Sequence, residues 1–476
     1  MSEQKIIIIG AGLAGSLLAI YLAKRDFEVE VYEARPDMRT EEISAGRSIN
    51  LALSDRGIAA LRDVGMDEYM LREAIPMHGR MIHPVAGETR LLPYSGRSGE
   101  YINSVSRAGL NIALMNEAEK YSGVRFFFDQ KCTGFDTRTG EAVIENALTG
   151  ENIPVKGSTL IATDGGGSAV RDSMLHGVPR FNFSQQFLEH GYKELHIPPA
   201  PDGGFMLEKN ALHIWPRHKF MMIALPNFDG SFTCTLFLAH TGENSFESIM
   251  PGKESNHGFT QMNADKKEPS SVFDLSSSVV NSLFSFFQTQ FPDAISLMPT
   301  LAEDFFANPT GNLGTIKCFP WNVGGRALLL GDSAHAVVPF YGQGMNCAFE
   351  DCRMLDSLIG RHGADWETVY TEYGQLRKVN TDAIADMAEE NFYEMRDAVA
   401  DPVFVRKREL ETKLEQTFPD YFSKYSMVTF REDLPYSIAK EKGNAQDKLL
   451  MEICSEIDNV AELNLEDVIN KIRALS

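Results

Sequence analysis

An acidic residue and a glycine-rich turn lie close together in the last third of the chain. The segment Arg326–Asp351 reads as an apolar strand that stops at Gly331 and Asp332, followed by a loop and by a Gly-Gln-Gly turn at 342–344 that opens a helix. The Asp332 carboxylate can accept from ribityl hydroxyls, and the free N–H groups of the helix start favour negative charge. The pattern predicts a docking place for an oxygen-rich anionic cofactor such as a flavin, although an ordinary strand–loop–helix connection can look the same.

A glycine motif at the N-terminus predicts a dinucleotide site. A buried-type strand at Ile6–Ile9 runs into the motif GAGLAG, and a helix is expected to follow to about Arg25. In such a motif Gly10 permits the tight turn, Gly12 lets the backbone approach a pyrophosphate, and Gly15 allows helix and strand to pack closely.

An acidic residue after the second strand narrows the choice of dinucleotide. The strand predicted at Phe27–Tyr32 ends on Glu33. An acid at this point accepts hydrogen bonds from both hydroxyls of an adenosine ribose, and it disfavours the 2′-phosphate of NADP. The site is therefore expected to hold FAD or NAD.

A third glycine motif, Thr159–Arg171, lies between the other two in the chain. A strand runs into Asp164 and three glycines, and Arg171 stands one helical turn beyond Ser168. The motifs occur in the order GxGxxG, then DG, then GD. This order resembles that of the flavoprotein aromatic hydroxylases of the para-hydroxybenzoate hydroxylase type. This resemblance extends from residue 1 to about residue 360 and favours FAD over NAD.

Further segments narrow the resemblance to one family. Over nearly its whole length the chain is similar to the kynurenine 3-monooxygenases, which are FAD- and NADPH-dependent hydroxylases of tryptophan catabolism. The matching segments are Gly46–Gly57, Met77–His83, His213–His240, Pro339–Asn346 and Lys424–Phe430.

The resemblance implies a reaction and its partners. FAD would be bound tightly but non-covalently, and NADPH would bind transiently, since no second dinucleotide fingerprint occurs. L-kynurenine would be hydroxylated to 3-hydroxykynurenine with O2 through a flavin C4a-hydroperoxide. The cofactor carries the hard chemistry and the aromatic amine activates the ring, so no catalytic acid or base is assigned and no metal is expected.

The resemblance also implies which residues contact the cofactor. They are distant from one another in sequence, so the fold must bring them together. They are Gly10, Gly12, Leu13, Gly15, Glu33, Arg35, Ala52, Arg107, Cys132, Asp164, Asp332, Gly344, Met345 and Asn346.

An arginine in an apolar strand is a candidate to hold the substrate carboxylate. Arg80 has apolar neighbours within Met77–His83, and a charged arginine in such a setting is rarely unpaired. Its planar guanidinium matches a carboxylate bidentately. From the residues alone, an edge-strand arginine pointing to water stays an alternative. The resemblance favours the substrate contact and adds Tyr94 as a donor to the second carboxylate oxygen.

One polar residue, Asn391, interrupts an apolar helical stripe near the C-terminus. A buried asparagine side chain must be hydrogen-bonded, either to a backbone carbonyl or to a ligand. The resemblance favours the ligand. The stripe has the spacing of one helix face and consists of Ile384, Met387, Ala388, Asn391 and Met395.

Four aromatic residues complete the predicted substrate pocket by resemblance alone. Tyr425 and Phe237 are carried over on motif match, and Phe237 would pack against the substrate ring. Phe340 and Tyr341 stand at the predicted boundary between flavin and substrate. An aromatic wall is sufficient there, so Tyr341 is given no acid–base role.

The pattern of strands and helices predicts an α/β fold, with a Rossmann-like FAD-binding domain, an antiparallel β-sheet substrate domain and a C-terminal helical region. The FAD-binding part is expected at 1–180, the substrate-side sheet at 181–308, and a return to the FAD-binding domain at 309–362. Helices at 363–476 are expected to close the substrate pocket. The polar segment Gly242–Pro269 is expected to be a surface excursion without an assigned function.

Composition limits the partners and the location. The net charge of −21 argues against binding nucleic acid and against docking on an anionic membrane surface. Six scattered cysteines without a CxxC pair make a disulfide framework or a zinc site unexpected. The first strand follows Met1 closely and no apolar run approaches the roughly 18 residues of a membrane span. A soluble, cytoplasmic enzyme is therefore expected, as a monomer or homodimer.

Three alternatives stay open. The chain could hydroxylate another aromatic acid, in which case it should lack the set of Arg80, Tyr94, Asn391 and Tyr425. It could be a flavin-dependent reductase or dehydrogenase that does not use O2. It could also be an FAD-binding sensor without enzymatic activity, which predicts bound flavin but no substrate-stimulated oxidation of NADPH.

Overall fold

A computed structural model describes residues 4–40, 50–250, 277–397 and 401–475. Residues 46–49 of the segment Gly46–Gly57, and most of the excursion predicted at Gly242–Pro269, lie outside the described residues.

The strands are β1 (Lys5–Ile9), β2 (Glu28–Tyr32), β3 (Asn50–Leu53), β4 (Ile75–Met77), β5 (Gly79–Ile82), β6 (Arg90–Pro93), β7 (Ile102–Ser106), β8 (Val124–Phe127), β9 (Gln130–Asp136), β10 (Glu141–Asn146), β11 (Asn152–Val155), β12 (Thr159–Ala162), β13 (Asn182–Ile197), β14 (Ala211–Pro216), β15 (Met221–Pro226), β16 (Phe232–Ala239), β17 (Gly311–Phe319) and β18 (Ala327–Leu329).

The helices follow the same order along the chain, and the longest ones lie in its C-terminal third. Helix α11 alone has 32 residues. The helices are α1 (Leu13–Ala23), α2 (Asp55–Asp63), α3 (Asp67–Arg72), α4 (Arg107–Ala118), α5 (Ala169–Gly177), α6 (Phe246–Ile249), α7 (Ser277–Gln290), α8 (Leu301–Ala307), α9 (Asp332–His335), α10 (Gly344–His362), α11 (Trp366–Asp397), α12 (Pro402–Thr417), α13 (Lys424–Thr429), α14 (Tyr436–Ser455) and α15 (Leu465–Arg473).

A five-stranded parallel sheet, in the order β18-β12-β1-β2-β8, forms the first layer. Its central strand reads as a continuous apolar run, KIIII, because helices cover both faces of such a sheet. Side chains of α1, α4 and α10 share one core with these strands. Ile9 is paired with Ala162, and Ala162 with Leu329, so the three motif strands end side by side.

A seven-stranded sheet, in the order β17-β13-β16-β15-β14-β5-β6, forms the second layer. Neighbouring strands are antiparallel except β14 and β5, which run parallel. Strands β5 and β6 come from the part predicted for FAD binding, and β17 from the part predicted to return to it. A period-two pattern indicates a strand but not its distant partner, which depends on tertiary packing. The linear domain division stays a prediction.

Strand β16 shows why this sheet has two buried faces. Cys234, Leu236 and Leu238 lie in one core with residues of α7 and α8, whereas Phe237 lies in another with residues of α11 and α14. Alternate side chains of a strand point to opposite faces. The face of Phe237 is therefore the one that meets the C-terminal helices.

The C-terminal helices pack against the second face of this sheet. The predicted stripe on α11, from Ile384 to Met395, is buried in the same core as Phe237. Two three-stranded sheets, β11-β10-β9 and β3-β7-β4, complete the β structure of the described residues. In those residues we find no helix with the length and apolar character needed to cross a membrane.

Candidate active site

Three loops from the sequence motifs meet at one edge of the parallel sheet. Gly10 follows β1, Asp164 lies two residues beyond β12, and Asp332 lies three residues beyond β18. These strands are adjacent, so the three loops emerge next to one another. The carboxyl ends of parallel strands are where open α/β sheets bind ligands. The structure thus brings together motifs that lie more than a hundred residues apart in sequence.

The glycines of the first loop differ in what surrounds them. A Cβ on Gly15 would lie 2.0 Å from the carbonyl oxygen of Gly10, and a Cβ on Gly10 would lie 2.7 Å from the carbonyl oxygen of Thr163. A Cβ on Gly12 meets nothing within 4 Å. Gly10 and Gly15 therefore serve the packing of the loop itself, whereas Gly12 borders open space where a ligand can approach the backbone.

Glu33 is held as a carboxylate at the end of β2. It accepts hydrogen bonds from Ala11 N at 2.7 Å, Arg35 N at 3.0 Å and Arg35 Nε at 2.7 Å. Burial opposes ionisation, but the hydrogen bonds and the charge of Arg35 outweigh it and lower the pKa of Glu33. Each carboxylate oxygen can accept more than one hydrogen bond. Glu33 can therefore still accept from a ribose while it holds the loop.

Asp164 has one oxygen engaged and one buried without a partner. Its Oδ2 accepts from Ala169 N at 2.9 Å, and its Oδ1 has no hydrogen-bond partner. Burial raises the pKa of Asp164. Cys132 lies beside it, and burial raises the pKa of this thiol to about 12, so it stays neutral. Buried polar atoms without partners are rare in native proteins, and a ligand that donates to Oδ1 would satisfy this one.

Asp332 and the start of α10 present the third part of the site. The Asp332 side chain is exposed at the first turn of α9. Gly344 begins α10, a helix of 19 residues, with Met345 next to it. The free N–H groups at the start of α10, together with the positive end of its dipole, favour a negatively charged ligand group.

The side chain of Asn346 is fully used inside the protein. Its Nδ2 donates to the carbonyl oxygens of Ala52 and Gly342, both at 2.8 Å, and its Oδ1 accepts from Ser54 N at 3.0 Å. Asn346 thereby fixes α10 to the loop after β3. Only the backbone of Asn346 is left for the cofactor contact that the sequence predicted.

The remaining predicted cofactor residues lie near the first loop. Leu13 begins α1 and Arg35 pairs with Glu33. Arg107 is exposed at the start of α4, and one turn later Asn111 donates to the carbonyl oxygen of Ala11 at 2.9 Å. The start of α4 therefore adjoins the glycine motif.

Arg171 joins two of the three loops, a role that the sequence motif did not reveal. It is almost fully buried, and its guanidinium donates to the carbonyl oxygens of Ser333 and Gly166. Ser333 Oγ in turn donates to the carbonyl oxygen of Ala162 at 2.7 Å. The only sequence signal was its position one turn after the DG loop.

Arg80 faces two tyrosines on the substrate side. Its guanidinium carbon lies 5.7 Å from the ring centre of Tyr94 and 5.0 Å from that of Tyr425. The two rings are stacked with their centres 5.2 Å apart. Among the described residues, Arg80 Nε and Tyr94 Oη are buried without hydrogen-bond partners. Two unused donors beside each other, one of them charged, suit a carboxylate.

An aromatic cluster links these tyrosines to the flavin-side loop. Phe340 and Tyr341 form the 3-10 turn just before the glycines that open α10. The Phe340 ring lies 4.8 Å from Phe237 and 4.5 Å from Phe392, and Tyr341 stacks on Tyr425 at 5.6 Å. The predicted aromatic residues thus form one continuous wall.

The side chain of Asn391 is hydrogen-bonded to a backbone carbonyl, one of the two kinds of partner that the sequence left open. Its Nδ2 donates to the carbonyl oxygen of Phe340 at 2.6 Å, and it also lies 3.3 Å from Met395 Sδ. Asn391 therefore positions the aromatic turn. A cavity of about 30 Å³ adjoins it, bordered by Asn391, Tyr341, Tyr425 and charged side chains of α11, α12, α13 and α14.

Comparison with known proteins places this geometry in a family. Residues 3–196 and 313–366 match the family described as FAD binding domain. Kynurenine 3-monooxygenase of Myxococcus xanthus (strain DK1622) is 46% identical over 479 residues, covering 100% of this chain and 96% of that protein. Kynurenine 3-monooxygenase of Dictyostelium discoideum is 42% identical over 478 residues, covering 97% and 96%. The tetrameric form of 2-methyl-3-hydroxypyridine-5-carboxylic acid oxygenase shares the fold, with a TM-score of 0.60, 18% identity and coverage of 87% and 98%.

The residues at the sheet edge fit FAD. Gly12 borders open space, Asp164 has an unpaired buried oxygen, and α10 directs free N–H groups toward the same edge. Carboxylates suit the hydroxyls of the cofactor, and N–H groups suit its phosphates and the anionic edge of its ring. FAD is the cofactor of this chain, and its binding motifs are the ones that the family match covers.

Proposed function

This chain belongs to the kynurenine 3-monooxygenase family, and from that premise we propose that it hydroxylates L-kynurenine to 3-hydroxykynurenine with NADPH and O2. That it is an FAD-dependent monooxygenase follows from the family itself. The observation that carries the choice of substrate is the pair of buried donors without partners, Arg80 Nε and Tyr94 Oη, beside the ring of Tyr425.

Arg80 and Tyr94 are proposed to hold the amino-acid carboxylate of the substrate. A guanidinium binds a carboxylate through two parallel hydrogen bonds, and a phenol can donate to a remaining lone pair. Burial raises the pKa of Tyr94 well above its usual value, so its hydroxyl stays protonated and able to donate. The two stacked tyrosine rings exclude water from this end of the pocket.

Phe237, Phe340 and Tyr341 are proposed to hold the aromatic ring. They form a wall that ends at the loop opening α10, so a ring packed on them lies at the boundary with the cofactor site. Burial raises the pKa of Tyr341 well above its usual value, which keeps its hydroxyl neutral and unsuited to act as a base. The substrate amine activates its own ring, so these residues need only orient it and exclude water.

The cofactor and co-substrate complete the proposal. When bound, FAD would supply the redox chemistry with NADPH and the activation of O2. We propose that Glu33, Asp164 and Asp332 hold it through its hydroxyl groups, with α10 facing its anionic edge. NADPH is proposed as a transient partner because the sequence contains one dinucleotide fingerprint. The protein is proposed to act as a monomer or homodimer.

The decisive experiment follows NADPH oxidation by the FAD-bound protein with and without L-kynurenine. We expect L-kynurenine to stimulate oxidation, O2 to be consumed, and the product to be heavier than the substrate by one oxygen atom. Hydrogen peroxide is assayed in parallel, because peroxide without hydroxylated product would mean that the ligand is not the substrate. Stimulated oxidation that continues without O2 would indicate a reductase. An unchanged oxidation rate would leave the proposal without support, and other aromatic amino acids would then be tested.

A further inference from the structure

A fully buried arginine outside the predicted site holds the segment that carries Tyr425. Arg56, on α2, donates from Nε to the carbonyl oxygen of Val428 at 2.7 Å. Its second terminal nitrogen donates to the carbonyl oxygens of Met427 and Leu434. Its guanidinium carbon also lies 4.0 Å from the centre of the Tyr436 ring. One side chain therefore contacts the end of α13, the loop after it and the start of α14.

The same guanidinium reaches the flavin-binding helix. Arg56 Nη1 lies 3.1 Å from Glu350 Oε1 on α10, and Glu350 Oε2 lies 2.8 Å from Arg377 Nη1 on α11. Arg377 Nε donates to Asp351 Oδ1 at 2.7 Å. The Arg56 network, defined as Arg56, Glu350, Arg377 and Asp351, is a continuous chain of ion pairs in the interior.

The far end of the Arg56 network touches the GD loop. Asp351 Oδ2 accepts from Gly331 N at 3.3 Å and lies 2.6 Å from His335 Nε2. His335, Asp351 and Cys347 could by spacing alone hold a metal ion, but Arg377 also contacts Asp351 and places a positive charge there. The cluster is therefore better explained as part of the ion-pair chain than as a metal site.

Helix α13 depends on such contacts for its position. It has only six residues, too few to be stable by itself, so tertiary contacts must orient it. The carbonyls of Met427 and Val428 lie in its last turn, where the helix dipole is negative and a guanidinium is favourable. Tyr425 lies in its first turn, stacked on Tyr94 and facing Arg80.

We propose that Arg56 is a positioning residue for Tyr425. This proposal rests on the proposed function. By fixing the last turn of α13, it sets Tyr425 against Arg80 and Tyr94, and through Glu350 it ties this placement to the helix that begins at the cofactor. Among the described residues, Arg56 has hydrogen bonds, ion pairs and ring contacts with α10, α13, the loop after α13 and α14, and none with Arg80, Tyr94, Tyr425 or the glycine loops. We expect its effect on L-kynurenine to pass mainly through α13, which carries Tyr425.

The test compares two arginines that both contact α10. Arg25 donates through Nε and Nη2 to both carboxylate oxygens of Asp356 on that helix, but it has no contact with α13 among the described residues. Arg56→Lys and Arg25→Lys are therefore a matched pair, and Glu350→Gln is a milder change within the Arg56 network. Amide hydrogen exchange over residues 424–434 and the Kd of L-kynurenine are measured on the FAD-bound proteins. The Kd of FAD is measured by adding FAD back to the same proteins after FAD has been removed.

We expect Arg56→Lys to speed amide hydrogen exchange at residues 424–434. It should also raise the Kd of L-kynurenine about tenfold, which is the effect of losing at least one hydrogen bond to a charged group. The Kd of FAD should change by less than about threefold, since the glycine loops are intact. Arg25→Lys should leave exchange at 424–434 and the L-kynurenine Kd unchanged. Glu350→Gln should give the Arg56→Lys pattern with a smaller amplitude.

A double-mutant cycle separates positioning from general loss of stability. If Arg56 acts through Tyr425, the combined Arg56→Lys and Tyr425→Phe variant should lose less L-kynurenine affinity than the two single losses added together. Additive losses, or unchanged exchange at 424–434 in Arg56→Lys, would overturn the proposal. If the wild type does not bind L-kynurenine at all, the proposed function fails, and hydrogen exchange alone still decides whether Arg56 fixes α13.

Discussion

The cofactor side and the substrate side of this molecule differ in what builds them. At the cofactor side, three short loops follow adjacent parallel strands and present backbone N–H groups and acidic side chains. At the substrate side, the polar groups come from β5, the loop after β6 and α13, and they meet only through side-chain contacts. The first is shaped by backbone geometry and the second by packing.

The two sides are therefore vulnerable to different kinds of substitution. A site built on backbone geometry fails when a Cβ is added at a close approach such as Gly15. A packing-built site depends on every element that orients its side chains, including buried residues such as Arg56 that never touch the ligand. We therefore expect that substitutions can damage one side and leave the other intact.

The largest expected effect is at Arg80. Replacing it with methionine keeps an apolar chain of similar length but removes the partner of the substrate carboxylate. We expect Arg80→Met to weaken L-kynurenine binding by about 2–5 kcal/mol while the flavin absorption spectrum stays unchanged. Arg90→Met, an exposed arginine on the neighbouring strand β6, is the control. Normal binding by Arg80→Met would mean that the carboxylate is held elsewhere.

The next effect concerns Asp332 on the cofactor side. Asp332→Ala should weaken FAD retention by roughly 1.5–3 kcal/mol, the range of a hydrogen bond to a charged group. Because the side chain is exposed in the protein, the ligand-free melting temperature should not change. FAD titration and thermal unfolding without FAD are the two measurements. Equal FAD affinity in variant and wild type would remove Asp332 from the site.

A pair of glycine variants should separate folding from binding on the cofactor side. Gly15→Ala places a Cβ 2.0 Å from the Gly10 carbonyl oxygen and should destabilise the ligand-free protein by about 1–3 kcal/mol. Gly12→Ala meets nothing within 4 Å, so it should keep the ligand-free stability and lose FAD affinity instead. Unfolding curves with and without FAD distinguish the two. A loss of ligand-free stability in Gly12→Ala would contradict this assignment.

Asp164 should show a stability cost that depends on pH. Burial raises the pKa of Asp164 above its usual 3.8, so the folded protein binds the proton more tightly than the unfolded chain. Ligand-free stability should therefore fall as pH rises from about that value through the raised pKa. Asp164→Asn should be more stable than wild type at neutral pH by about 1 kcal/mol, lose this advantage at low pH, and bind FAD more weakly. Denaturant unfolding across pH checks the sign.

The smallest effect expected is coupling between the two sides. L-kynurenine should accelerate the reduction of the flavin by NADPH, because a ligand that binds one arrangement of the two sides better shifts the protein toward it. Tyr425→Phe or Asn391→Ala should weaken this acceleration by about threefold to tenfold, with little change in FAD affinity. Stopped-flow bleaching of the flavin without O2, at zero and saturating L-kynurenine, is the measurement. Equal rates in the wild type would refute the coupling and leave the hydroxylase proposal standing.

Most of the cofactor side could be predicted from the residues. A glycine at a close backbone approach, an acid at the end of a strand and a helix start are local features, and their spacing carries the geometry with it. The family match over residues 3–196 and 313–366 agrees with the motifs that predicted FAD. The structural role of Asn346 could not be predicted. Its side chain donates to the carbonyl oxygens of Ala52 and Gly342, and no local sequence pattern indicates the contact with Ala52.

The proposed substrate side rests on the resemblance and stays a prediction. The helical stripe on α11 indicated that Asn391 is buried, but the spacing of residues could not show that its partner is the carbonyl of Phe340. Likewise no pattern indicated that β5 runs parallel to β14, or that Arg80 faces a tyrosine from the far end of the chain.

The sequence alone was sufficient to predict the local elements, namely the three loops, the apolar strands and the amphipathic helices, because neighbouring residues encode them. The fold alone decided which distant side chains meet, as in the Arg56 network, which joins α2, α10 and α11 and which Arg56 extends to α13. The physical reason is that a buried charge is stable only with partners placed to within a hydrogen-bond length. Those partners are supplied by tertiary packing, whose sequence signal is spread over the whole chain.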